Sequence, residues 1–384
     1  MSTIADKLQD LLEAKNDIKT AIENKGGTVT GGLTTYADAI GGIPTTTGET
    51  LFDLTKLGYS TKDMNDTHAA LDTWFSDVYV PKGTTIQNNW NPERTSAYQA
   101  FLGTTQRFFP YIDTHNVTTM ERMFCNAWAL LCVPKFDTSN VTNMKEMFSD
   151  CEDLFYVPDF DTSKVTDMTY MFQDCIGLVS APKFDTSNVM RFDSMFSGCK
   201  YLTHVPQYNM QDAMIISNMF FQCESLKSVS FKDTHNLSIT ESAFGHCTSL
   251  IEVPQLDMRN VESANGMYTA CTSITSVPLL DFTTMRDSVS MFSGCTNLTD
   301  IAGFVNWGKH YNCTGTGSGR YSMFDGCTKL TRQSVLNIFN NLYNRSNMST
   351  PAYMQFPSAV FNRLTDEDIA IATNKGWRVG IITN

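Results

Sequence analysis

A chain of 384 residues with 42% apolar side chains can bury a continuous core, and it carries a formal net charge of −12 with a pI near 4.9. That charge argues against a nucleic-acid surface, which needs clustered Lys and Arg, and no such cluster occurs. No run of 18 apolar residues is present, so neither a transmembrane helix nor membrane insertion is expected.

Residues 1–25 read as an amphipathic helix. Ile4, Leu8, Leu11, Ile18 and Ile22 follow a 4-3 spacing, a heptad seam interrupted by Lys15, and Gly26-Gly27 closes it. These five residues are candidates for oligomerisation, and packing of the helix on its own domain is the simpler alternative. A short apolar segment follows from Tyr36 to Ile40, and Thr45 to Gly48 reads as a linker. Residues 1–48 are therefore expected to form an attachment or oligomerisation segment. The start alternates charge with Leu and Ile, which speaks against a secretory signal. Residues 49–108 do not repeat, and Leu51, Phe52, Trp74, Phe75, Trp90 and Phe101 are enough apolar surface to cap the array that follows.

From about 109 to 330 the sequence repeats every 24 residues. Cys151, Cys175, Cys199, Cys223, Cys247, Cys271 and Cys295 keep that interval, each with a Met-Phe pair or a close equivalent four residues ahead. Pro134, Pro158, Pro182, Pro206, Pro254 and Pro278 run on the same spacing, with Ser230 filling the gap. A strict period of this length predicts an α/β repeat solenoid of the leucine-rich-repeat kind, whose units bury their apolar faces only against one another. Within a coil, Leu154 to Val157 reads as a short strand limited by Pro158. The apolar steps of three and four from Val165 to Phe172 suit a short helical turn, with Asx-turn and capping chemistry at Asp137 to Asn140 and Asp185 to Asn188. Between Cys295 and Cys327 the interval grows to 32 residues, through an insertion around Gly308 to Arg320. Residues 331–384 lose the period. Val335, Ile338, Phe339 and Leu342 form a helical stripe, Thr365 opens an acidic first turn, and Trp377-Arg378-Val379 reads as an edge strand, together a C-terminal cap.

In-register stacking predicts an interior column of thiols. Adjacent coils lie roughly 5 Å apart, within the range of a disulfide, so a bonded column stays open beside the buried free one. No paired CxxC or His companion suggests a metal. The six histidines are scattered and accompany no nucleophile, metal-ligand or phosphate-loop motif. Asp137, Asp161, Asp185, Asp257 and Asp281 would form a column, read as turn-forming side chains rather than as a calcium site. The chain is expected to have no cofactor and no enzymatic activity. Positions that change against the fixed core pattern mark a solvent-facing stripe. Lys135, Asp159, Lys183, Gln207 and Gln255 follow the prolines, and Tyr156 lies in the arm before one. These six are the candidate receptor-binding residues, of types suited to polar surfaces such as glycans, and free drift of exposed positions is the alternative.

The phrases FDTSNVTNMKEMFSDC and FDTSKVTDMTYMFQDC resemble the BspA-like leucine-rich-repeat group, including its mycoplasma-lipoprotein-type branch. That resemblance covers about 110 to 330 and implies a curved right-handed solenoid from a family common among bacterial surface adhesins. The stretch AKNDIKTAIENKGGTVTGGLTTYADAIGGI is similar to a segment of bacteriophage tail and fibre proteins. Together they imply a virion protein, assembled in the host cytoplasm as a homotrimer through its N-terminal helix. It would contact other virion proteins and a glycan or protein of the bacterial surface, as a tail-fibre or peripheral adhesion component. The alternatives are a bacterial cell-surface adhesin and a purely architectural virion protein.

Overall fold

The computed structural model describes residues 90–106, 109, 112–310, 322–349 and 351–382, all within one compact unit, Thr85–Asn384. The expected helix carrying Ile4, Leu8, Leu11, Ile18 and Ile22 lies outside the described residues, as do most of 49–108 and the insertion from 311 to 321.

Parallel bridges between coils fall in three rows, or ladders, of which the third is continuous from Ser96 to Asp287. The first passes through the arm before the proline, as the bridges Cys132↔Tyr156 and Ser180↔His204 and as β3 (Ser276–Val277) against β5 (Asp300–Ile301). The second lies just after the proline, where β1 (Tyr208–Asn209) pairs with β2 (Phe231–Lys232) and β4 (Leu280–Asp281) with β6 (Phe304–Val305). The third runs from Ser96↔Thr119 through Asn143, Asp167, Arg191, Ile215, Ile239 and Ser263 to Asp287. Ser96 to Gly103, assigned by sequence to the N-terminal cap, already bond to the coil after them, as in Ala97 N–H to Thr119 O at 2.9 Å.

The segment expected to be helical is a run of tight turns. The amides of Met171, Gln173 and Cys175 donate three residues back, to Met168, Tyr170 and Phe172. The alternate amides of Tyr170, Phe172 and Asp174 donate instead to Asp193, Met195 and Ser197 of the next coil, at 2.8, 2.9 and 2.7 Å. An α-helix would direct all of these amides inward along its own axis and leave no donors for the neighbouring coil. The turns need two left-handed residues per coil, and most are not glycine: Tyr170 at φ +58° and Asp174 at +55°, and likewise Ser194, Asn218, Ser242 and Ala270.

Among the buried columns of the interior, one of rings and one of thiols run the length of the array. The rings of Phe101, Phe124, Phe148, Phe172, Phe196, Phe220, Phe244, Tyr268, Phe292, Phe324 and Phe356 stack with neighbouring centroids 5.2 to 6.4 Å apart. Beside them, the thiols from Cys151 to Cys295 and that of Cys327 each donate to the carbonyl of a ring residue in the preceding coil, as in Cys199 Sγ to Phe172 O at 3.1 Å. All described cysteines are free and buried. Burial pushes these thiols up, Cys295 to about 12, which keeps them protonated as donors.

The array ends in α1 (Arg332–Asn341), β7 (Ala352–Phe356), α2 (Ser358–Phe361), α3 (Asp366–Thr373) and β8 (Trp377–Ile381), with β7 and β8 paired in parallel. Thr365 and Asp368 form a capping box on α3. Asp368 also takes a bidentate pair from Arg332, at 2.7 and 2.6 Å. The Lys375 ammonium closes the other end of α1 by donating to the carbonyls of Phe339, Asn340 and Leu342.

Candidate functional site

The stripe after the prolines lies between the first and second ladders. Val157 and Phe160 point inward with 1% and 4% of their surface exposed, and the residue between Pro158 and Phe160 points out. Lys135, Lys183, Gln207 and Gln255 accordingly form an exposed row, continued by Leu279. Asp159 is half-buried, and its carboxylate accepts the Lys183 amide of the next coil at 2.6 Å. It therefore acts first as a fastener between coils.

Tyr156 departs from the expectation. It is 5% exposed, because it sits within the first ladder against the buried Cys132, where a large ring with a coil beside it loses its contact with water. The same ladder position opens along the chain: Ser180 and His204 are half-buried, and Ser228, Glu252, Ser276 and Asp300 are exposed. The coil that carries Ser230 in the proline slot also shifts register. Tyr208 pairs with Phe231, 23 residues on rather than 24, so Phe231 joins the core rings near Phe220 and Phe244, and Ser230 stands exposed.

The aspartate column forms turns. Asp137, Asp161 and Asp185 accept the amide and hydroxyl of the serine two residues on, with the hydroxyl contacts at 2.7 Å. The Ser163 hydroxyl and amide hold the Asp161 carboxyl below its usual range. The asparagines after these turns reach one coil back, as Asn140 does to the His115 carbonyl at 2.9 Å and Asn188 to Ser163 at 2.7 Å. Among the described residues no group of three His, Cys, Asp or Glu side chains is arranged to hold a metal ion, and no helix is long and apolar enough to cross a membrane.

Sequence reasoning passed over a cleft at the C-terminal end of the first ladder, of about 400 Å³, with Glu252, Ser276, Pro278, Asp300, Gln333 and Asn337 among its lining. Its only sequence signal is the ladder position shared by Glu252, Ser276 and Asp300, because the helix that walls it stands outside the repeat.

A family model described as a BspA type leucine rich repeat region, in six copies, matches residues 213–349. That part of the chain is similar to leucine-rich-repeat arrays of the BspA type. A second model, described as a mycoplasma protein of unknown function, matches residues 95–204 and 156–252 of the same array. The chain is also similar to the crystal structure of a leucine rich repeat protein of T. pallidum. The identity is 21%, over 43% of this chain and 71% of that one. The TM-score is 0.31. No curated protein matches the chain.

Proposed function

We propose that the protein is a non-catalytic adhesion scaffold whose stripe meets a hydroxyl-rich surface, such as the glycan coat of a bacterium. The observation that carries this reading is the exposed row of Lys135, Lys183, Gln207 and Gln255 over a core that repeats from coil to coil. Ammonium and amide groups supply donors and acceptors for sugar hydroxyls. Their coil spacing is set by the ladders, so a polymer meets them with little ordering cost on the protein side.

For its setting we propose a virion, with residues 1–48 joining three copies to other virion proteins and the solenoid as a tail-fibre or peripheral adhesion component. The likeness of the N-terminal stretch to phage tail and fibre proteins supports this. The BspA-type match favours a second setting, a bacterial cell-surface adhesin.

Labelled full-length protein should bind a panel of bacterial strains selectively and lose that binding on capsule-deficient partners. Combined K135A, K183A and Q207A should abolish most of the signal. No binding to any strain by a folded oligomer would overturn the adhesion reading in favour of an architectural role. The solution mass separates the settings: a trimer dispersed by polar substitutions at Ile18 and Ile22 supports the virion, and a monomer supports the cell surface.

A further inference from the structure

The first ladder ends against a wall. Ser334 Oγ donates to Thr299 O at 2.9 Å and accepts the Ile301 amide at 3.0 Å, and Asn337 Nδ2 donates to Ile301 O at 2.9 Å. With these bonds α1 takes up the outer edge of β5 and stands beside the exposed face of the ladder. The cleft of about 400 Å³ between them falls in the size range of small-molecule sites, roughly 300–1,000 Å³.

Its polar groups are unequal in kind. Ser276 pairs with Asp300 in register, and Glu252 stands one coil earlier on the same column. The two acidic residues therefore flank the serine with their backbones about 10 Å apart, two strand spacings. Neither makes an ion pair with a described residue, and Asp300 accepts one neutral bond, from Thr299 Oγ1 at 2.7 Å. Gln333 turns its amide nitrogen to Asn337 Oδ1 at 2.9 Å, which directs its carbonyl oxygen elsewhere as an acceptor. Between these groups the lining is apolar, with Val277 and Ile301 buried beneath and Pro278 and Ala302 at the surface.

Acceptors and negative charge around an apolar patch call for a ligand rich in donors, positively charged and apolar on one face. We infer that this cleft holds a protonated amino sugar at the end of a glycan chain. The ammonium sits between Glu252 and Asp300, the hydroxyls meet Gln333 and Ser276, and the C–H face of the ring lies on Pro278. The choice of a sugar frame rests on the adhesion reading above. The charge requirement rests on the cleft alone. An anionic sugar would be repelled by the same carboxylates.

Calorimetric titration of the full-length protein with a glucosamine tetramer, its fully N-acetylated counterpart and spermidine tests the inference. The glucosamine tetramer should bind, more weakly as salt rises. Glu252→Gln and Asp300→Asn should each lower affinity roughly fivefold, the scale of an exposed ion pair, and together more than tenfold. Both side chains are exposed, so the variants should melt as the parent does. Equal affinity for the N-acetylated tetramer, unchanged binding by the double variant, or no binding at all would overturn the proposal. Spermidine binding as tightly as the amino sugar would overturn the sugar frame. The K135A, K183A and Q207A variant should titrate normally here, so a failed stripe and a failed cleft give different results.

Discussion

The coils from Cys151 to Cys295 and the cap after Leu330 hold themselves together by different means. In the coils local turn bonds alternate with bonds that span one turn of the solenoid. Thiols reach carbonyls 27 residues back, asparagines reach 25 back, and alternate turn amides reach 23 forward. In the cap, Thr365 and Asp368 satisfy one another three residues apart, and the buried Trp377 donates its indole N–H to the Tyr343 carbonyl at 3.0 Å. A coil depends on its neighbours for hydrogen bonds as much as for burial, so a repeat taken alone has no fold. The cap has local capping of its own, yet it continues the array's aromatic column through Phe356, whose ring lies 5.2 Å from Phe324.

The largest expected effect breaks that column in its middle. Phe196→Ala removes a fully buried ring stacked at 5.4 and 5.5 Å on its two neighbours and should cost about 3–5 kcal/mol by denaturant unfolding. Phe356→Ala, stacked on one side only, should cost less and loosen the cap before the array. Next comes the seam between the two regions. Gly308 has φ +90°, and an added Cβ would overlap the Trp377 ring. Gly308→Ala should therefore destabilise by more than the roughly 1–2 kcal/mol of a left-handed alanine. Hydrogen exchange should place the loss at the cap.

A smaller effect tests the thiol column. Cys199→Ala removes the donor to the Phe172 carbonyl, which keeps its bond from the Cys175 amide at 3.1 Å. The cost should be about 1 kcal/mol, well short of losing the only partner of a buried group. The opposite sign is expected for Ala270→Gly. That alanine is held at φ +59°, so relief of left-handed strain should raise stability by up to about 1 kcal/mol.

The smallest effect is electrostatic. Burial, and then the Asp150 carboxylate of the preceding coil, raise the Asp174 carboxyl above its usual range. The folded chain thus holds that proton more tightly than the unfolded one, and stability falls as pH rises from the unfolded pKa through the folded one. Asp174→Asn should melt slightly higher than the parent at neutral pH, and the gap should close as pH drops below about 4. Asp161 has the reverse sign. Its carboxyl is lowered by Ser163, so its contribution is present above the unfolded pKa and is lost as pH falls through the folded one.

Much of the interior was legible from residue order. The cysteine and Met-Phe positions name the buried columns, and the Asp-Thr-Ser phrases name the turns that Asp137, Asp161 and Asp185 make. The helical reading of Val165 to Phe172 failed because steps of three and four describe any backbone that turns one side inward. Whether its amides bond along the segment or across to the next coil leaves no mark on that spacing. Tyr156 was misplaced for a related reason: variation between coils signals a position outside the core pattern, and does not measure its exposure.

The sequence by itself determined the period, the residues that face inward and the places where the chain turns, because side-chain direction follows local spacing. Only the tertiary structure decided the rest. The partners of the coil amides and thiols lie 23 to 27 residues away. The register step at Phe231 depends on which ring enters the core. The cleft at Glu252 and Asp300 exists because α1, a segment with no repeat, docks on the last strand through Ser334 and Asn337.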